Sequence, residues 1–397
     1  MGSAIAGTDE PLSPIGRLFL REDFYEFANL LVGLEKPIDL EASRLEIENS
    51  LLIKHPRFGS LLLRDKNGKE YWRKTQVDLD RHFIVLADRV GEGDDEEEIV
   101  NQYMADLAVS SPLSTNKPLW ECHFLLAHKC VAMRFHHALG DGISLASLLS
   151  AVFRKLNDQS PTTVMPSTSS LSKKSQDKSK AWMFVMVVVK KSVTDATIND
   201  VFFAILSSGL SRYLHHRSIS VQDGLQLTGI GMVNLRQEPG LQEISNMMKS
   251  FSRSRWGNHI GVHLLPLYYP MGVASPLDYL RRAMDILTKK KLSIEAIARH
   301  LCYKLICNTT FGISNVVGFQ DKMSFAGNPI KYMRTNTSAL PQVDACRQIQ
   351  VHMTSYAGRA DMQILVAKDI IPDPKFLAKC FEDSLLEMKD AAIKLQS

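Results

Sequence analysis

Apolar positions along the first 156 residues alternate between two spacings. A helical period of three and four runs through 39–56, 98–110 and 143–156, while short apolar runs at 58–65, 120–128 and 130–135 read as strands. The second half repeats the mixture. Helices are predicted over 197–214, 276–290 and 293–307 and from Pro374 onward, with strands over 225–236, 256–269 and 311–319 and a hairpin within 347–370. Between the halves, residues 157–180 (NDQSPTTVMPSTSSLSKKSQDKSK) offer almost nothing to bury and read as a linker. The pattern predicts an α/β protein with an N-terminal lobe at 1–156, a linker at 157–180, a C-terminal lobe at 181–397 and a cleft between the lobes. Its 397 residues suit two domains of about 200 residues each.

One run, AWMFVMVVV (Ala181–Val189), reads as a buried strand from its β-branched and aromatic content. It falls short of the roughly 20 apolar residues that span a bilayer. The basic stretch 173–180 before it and Lys190–Lys191 after it would also suit an anionic membrane surface, as would the cluster Lys289–Lys290–Lys291.

Composition removes several classes. Apolar residues make up 45% and charged residues 23%, and 47 Lys and Arg against 43 Asp and Glu leave a net charge of only +4, no footprint for nucleic acid. The six cysteines (Cys122, Cys130, Cys302, Cys307, Cys346 and Cys380) never form a Cys-x-x-Cys pair, so neither a zinc framework nor a disulfide framework is expected. The first residues carry no signal-peptide pattern.

The chemistry concentrates at VAMRFHHALGDGISLASLLS, residues 131–150. Val131, Met133 and Phe135 keep a strand period and Ile143, Leu145, Leu148 and Leu149 a helical one, so His136 to Gly142 is the turn between them. A histidine there can accept a proton at neutral pH. Asp141, placed where the helix begins, can cap free amides or pair with an arginine, and Arg236 is the candidate partner. A zinc hydrolase would need more ligands than His136, His137 and Asp141, and no metal is expected. Thr197-x-x-Asp200 reads as a capping-box variant, which leaves Asn199 and Asp200 open between a structural and a functional role.

HHALGDG resembles the HHxxxDG signature of acyl-CoA-dependent acyltransferases with the chloramphenicol-acetyltransferase-like fold. PLSPIGRLF (11–19), PLWECHFL (118–125), TINDVFFAILSSGLSRYL (197–214), MVNLRQEPGLQ (232–242), SRWGNHIG (254–261) and SNVVG (314–318) occur in order, and with them the chain resembles the plant-type wax ester synthase/diacylglycerol acyltransferase family over nearly its full length. The resemblance implies two chloramphenicol-acetyltransferase-like lobes with mixed sheets and an active site in the cleft or tunnel between them. It implies that His137 removes a proton from a fatty alcohol or diacylglycerol hydroxyl as the oxygen attacks the acyl-CoA thioester, with His136 supporting the turn and Asp141 anchoring it. Asn315, its neighbour Ser314 or a backbone amide would serve the oxyanion, and Asn199–Asp200 would form a second functional motif. No cofactor is implied, acyl-CoA being a co-substrate. The place of action implied is the cytosolic face of the endoplasmic reticulum membrane, peripherally bound, or the plasma membrane.

Two departures stand out. The region between the linker and TINDV is shorter than in the family, and Phe319 follows SNVVG where the family commonly has proline. The shortened centre keeps a second expectation open, a non-catalytic lipid-binding relative. A BAHD-type acyltransferase on small alcohols is the third, weakened by the absence of DFGWG.

Overall fold

A computed structural model describes residues 9–21, 25–110, 112–156, 178–193, 195–217, 225–237, 240–243, 248, 256–269, 275–291, 309–338 and 349–396. The helix predicted at 293–307, most of the linker and Cys302, Cys307 and Cys346 lie outside the described residues. The first half carries β1 (Glu10–Pro11), α1 (Pro14–Leu18), β2 (Phe27–Leu34), α2 (Leu40–Asn49), α3 (Leu51–Lys54), β3 (Ser60–Arg64), β4 (Glu70–Lys74), β5 (Phe83–Leu86), α4 (Glu96–Ala108), β6 (Trp120–Leu125), β7 (Cys130–His136), α5 (Gly142–Leu149) and β8 (Arg154–Lys155). The second half carries α6 (Lys178–Lys191), α7 (Ile198–His216), β9 (Leu225–Asn234), β10 (Ile260–Tyr269), α8 (Pro276–Lys291), β11 (Phe311–Val317), β12 (Met323–Phe325), β13 (Asn328–Thr337), β14 (Ile349–Tyr356), β15 (Arg359–Leu365) and α9 (Pro374–Gln396).

Two mixed sheets organise these elements. The first has the order β5-β6-β7-β2-β13-β12-β8 and the second β10-β9-β11-β14-β15, with a small third sheet β1-β4-β3. β2 and β7 are central, with every β7 residue buried, and neither strand alternates between buried and exposed positions because both faces are covered. In the second sheet β9 and β11 pair in parallel only from Phe311↔Gly229 to Ile313↔Gly231. Beyond Ile313, β11 keeps its β14 partner alone as far as Val317, and the opening on the β9 side becomes a wall of the site.

Several expectations need correction. Residues 181–397 do not form one lobe, because β12 and β13 leave the second half and complete the first sheet, β13 pairing with β2 from Thr337↔Ala28 to Ile330↔Leu34. The helix expected at 39–56 breaks at Ser50, whose extended backbone and hydroxyl cap a second short helix. The helix expected to run to 156 ends at Leu149, and Arg154–Lys155 pair with β12 instead. Ala181–Val189 belongs to helix α6, which also takes in linker residues 178–180. Its burial explains why: Val185, Met186 and Val189 are buried with α7 and α9 side chains such as Phe202 and Phe381, a spacing of three and four, whereas Phe184 is 63% exposed. Packing against two helices overrides β propensity here. Among the described residues, no helix is long and apolar enough to cross a membrane.

A strand would place 184 and 186 on one face, and the helix separates them. Met186→Ala is expected to cost about 2–5 kcal/mol in denaturant unfolding, and Phe184→Ala to stay within about 0.5 kcal/mol. Equal losses would contradict the helical assignment.

Candidate active site

His136 closes β7, paired with Phe27, and His137 is the first residue past the strand. The two rings part company there. His136 is fully buried, its Nδ1 accepts the Ala138 amide at 3.0 Å, and the Tyr25 ring packs edge-on at 4.4 Å. Burial first, then the neighbouring His137, lowers its pKa to about 3, so it is a neutral core residue behind the turn. His137 is half-buried against Phe19, ring centroids 4.4 Å apart, and lines a channel of about 700 Å³.

Asn258 sets the tautomer of His137. Its amide nitrogen donates to the His137 carbonyl at 2.8 Å, which turns its Oδ1 toward His137 Nδ1 at 3.3 Å. An acceptor at Nδ1 puts the ring proton there and leaves the lone pair on Nε2. An imidazole held in this way presents Nε2 to the channel as a proton acceptor.

The turn itself is fixed by Asp141. As N-cap of α5 it accepts the Ser144 amide at 2.9 Å, and its Oδ2 also accepts the His259 amide at 2.8 Å. Arg236 donates both terminal nitrogens to the carboxylate, at 2.8 and 3.0 Å, with side-chain exposures of 5% and 1%. The same guanidinium donates to Ser144 Oγ and to the Gly257 carbonyl, both at 2.9 Å. Gly257 is at φ 115°, a backbone region that favours glycine. Asp141 and His136 are thus occupied separately, and among the described residues no group of three or more His, Cys, Asp and Glu is placed to hold a metal ion.

Trp256 adds a further hold, its indole donating to the Leu139 carbonyl at 2.6 Å. Trp256 and Trp120 are both core aromatics. Phe319, in place of a proline, is buried with its ring edge-on to Phe153 at 5.9 Å.

The Asn199–Asp200 pair divides its work. The Asp200 carboxylate accepts the Thr197 amide and hydroxyl at 2.6 and 2.7 Å in a full capping box. Asn199 lines the channel, and its Oδ1 accepts the Asn315 amide at 2.7 Å. One of the two N–H groups of Asn315 is thereby used, which leaves the other for an oxyanion, while Ser314 lines the same wall.

Several polar wall residues carried no assigned role in the motifs. Glu26, Thr337, Gln350 and His352 line the channel on the His137 side, with the Thr337 hydroxyl donating to Gln350 Oε1 at 2.9 Å. Burial, with a smaller contribution from His137, lowers the His352 pKa to about 4. Asn258 was within reach of the sequence, since it lies inside SRWGNHIG. The apolar part of the wall includes Phe202, Ile230, Leu265, Leu287 and Ile313.

A two-lobed α/β fold with a His-His-x-x-x-Asp-Gly turn on the wall of its inter-lobe channel defines an acyltransferase of the chloramphenicol-acetyltransferase-like class. The profile of the wax ester synthase/diacylglycerol acyltransferase catalytic domain matches residues 35–198, and that of the WS/DGAT C-terminal domain matches 256–306 and 295–389. The chain belongs to the wax ester synthase/diacylglycerol acyltransferase family. Wax ester synthase/diacylglycerol acyltransferase 2 of Arabidopsis thaliana is 29% identical over 481 aligned positions, covering 98% of this chain and 97% of the relative. Those positions exceed the 397 residues here, so the relative carries segments that this chain lacks. Two solved structures share the fold. The wax ester synthase/diacylglycerol acyltransferase from Marinobacter aquaeolei VT8 matches with a TM-score of 0.63 at 16% identity, covering 96% of this chain and 99% of that one. The first condensation domain of the CDA synthetase matches with 0.58 at 14% identity, covering 97% and 98%.

Asp200→Ala removes a cap and is expected to cost about 1–2 kcal/mol of stability. Asn199→Ala, a channel-wall change, is expected to stay within about 0.5 kcal/mol. Chemical denaturation of both variants checks the division, and a larger loss for Asn199→Ala reverses it.

Proposed function

We propose that this protein transfers a fatty acyl group from acyl-CoA to the hydroxyl of a long-chain alcohol, forming a wax ester, with diacylglycerol as a further acceptor. The observation that carries this reading is His137 on the channel wall with its Nδ1 directed to Asn258, which supplies Nε2 as the proton acceptor. As the hydroxyl oxygen attacks the thioester carbonyl, its proton passes to Nε2. When the tetrahedral intermediate collapses, the C–S bond breaks and the proton leaves with the CoA sulfur. An alcohol is too weak an acid to ionise beforehand, and a placed base contributes about 10²- to 10⁴-fold. Ser314 or the remaining N–H of Asn315 is the candidate oxyanion donor. A channel of about 700 Å³ falls in the size class of small-molecule sites, and its apolar wall suits alkyl chains. The reaction so written uses no cofactor and no metal.

We assign the place of action to a membrane surface, the cytosolic face of the endoplasmic reticulum, with attachment from one side. Supporting this, exposed Phe184 on α6 is followed by exposed Lys190 and Lys191, an apolar anchor beside positive charge.

The test is to incubate the purified protein with palmitoyl-CoA and hexadecanol, and in parallel with diacylglycerol, measuring free CoA and ester. Ester formation is expected, with a loss of at least about 100-fold in kcat for His137→Ala. Unchanged turnover in that variant would remove His137 from the chemistry, and palmitoyl-CoA binding without CoA release would favour a lipid-binding relative instead.

A further inference from the structure

Glu26 is the wall residue that the proposed reaction leaves unused. It sits immediately before β2, and its carbonyl accepts the His137 amide at 2.9 Å, so backbone bonding holds the two residues beside each other. The side chain is buried and lines the channel. Among the described residues, Glu26 forms no ion pair with a lysine or arginine. An ionised carboxyl in such a place is costly unless a neighbour supplies positive charge.

Several of the charged and titratable groups around it do not supply that charge. His136 on β7 and His352 on β14 are pushed down by burial to about 3 and about 4, so both are neutral at neutral pH. Burial pushes the Tyr25 hydroxyl up to about 12. Asp141 and Arg236 neutralise each other, and His263 lines the wall from β10. His137 remains.

We propose that Glu26 and His137 form a coupled acid–base pair, in which Glu26 is a positioning residue whose carboxylate stabilises the imidazolium that His137 becomes during acyl transfer. The inference rests on the reading of His137 as the base. Burial raises the Glu26 carboxyl, and His137 offsets only part of that rise. The competent form carries no proton on either group. Its lone carboxylate is uncompensated in the ground state and becomes paired as His137 takes the hydroxyl proton, an interaction stronger in the transition state. The proton then leaves with the CoA sulfur, and the pair returns to its starting state.

The test is the pH dependence of kcat and kcat/KM for palmitoyl-CoA turnover in the full chain. Glu26→Gln, which keeps shape and removes charge, is expected to move the acid-limb midpoint down by about one pH unit and to lower the kcat plateau by up to about tenfold. Glu26→Asp is expected to return the midpoint toward the wild-type value. A Glu26→Gln profile that is lowered uniformly, with its midpoint unmoved, overturns the proposal, since that is what a purely structural role would give. If Glu26→Gln does not fold, NMR titration of the His137 imidazole in the wild type and in Glu26→Ala decides, and identical midpoints overturn it. His137→Ala run alongside keeps the two readings distinct, because its activity reports on the base alone.

Discussion

The two-pronged ion pair between Asp141 and Arg236 is the interaction on which the site depends. It joins the turn after β7 to the end of β9, and it is almost wholly buried. A buried ion pair gains little unless its remaining hydrogen-bonding capacity is also used. Here the carboxylate accepts from Ser144, His259 and both arms of the guanidinium, while Arg236 also reaches Ser144, Gly257 and Asn234. The pair ties the start of α5, the end of β9 and the approach to β10 to one point, four residues after His137. Removing either charge would leave the other buried and alone.

Around that point the chain makes a channel by crossing between sheets. β13 sits beside β2 in the first sheet, with Thr337 at its end, and β14 returns to the second with Gln350 and His352. The opening between β9 and β11 beyond Ile313 supplies the opposite wall, where Ser314, Asn315 and Asn199 gather. His137 therefore faces one wall built from each sheet. A single lobe could not assemble this arrangement, and the exchange of β12 and β13 makes the two lobes one folded unit.

The turn was legible in the sequence because its signals are local. Strand period, two glycines and helical period bracket His136 to Gly142, and Asp141 stands where an N-cap belongs. The capping box at Thr197 was legible for the same reason. What escaped depends on contacts distant in sequence. β2, with Asn29 inside an otherwise apolar stretch, has no period that classifies it, and nothing local says that β13 will leave its own half of the chain. In α6, β-branched residues outweighed the three-and-four spacing of Val185, Met186 and Val189, which only the faces of α7 and α9 make decisive. Glu26 and His352 are single polar residues in unremarkable surroundings, and they meet His137 only because β2, β7, β13 and β14 are brought together.

Asp141 and Arg236 act as one unit in holding the turn. A double-mutant cycle of Asp141→Asn and Arg236→Gln, read as kcat/KM for acyl transfer with unfolding measured on the same proteins, tests it most directly. Each single variant is expected to lose nearly as much as the double, a coupling of about 2 kcal/mol or more. Losses that simply add would contradict it.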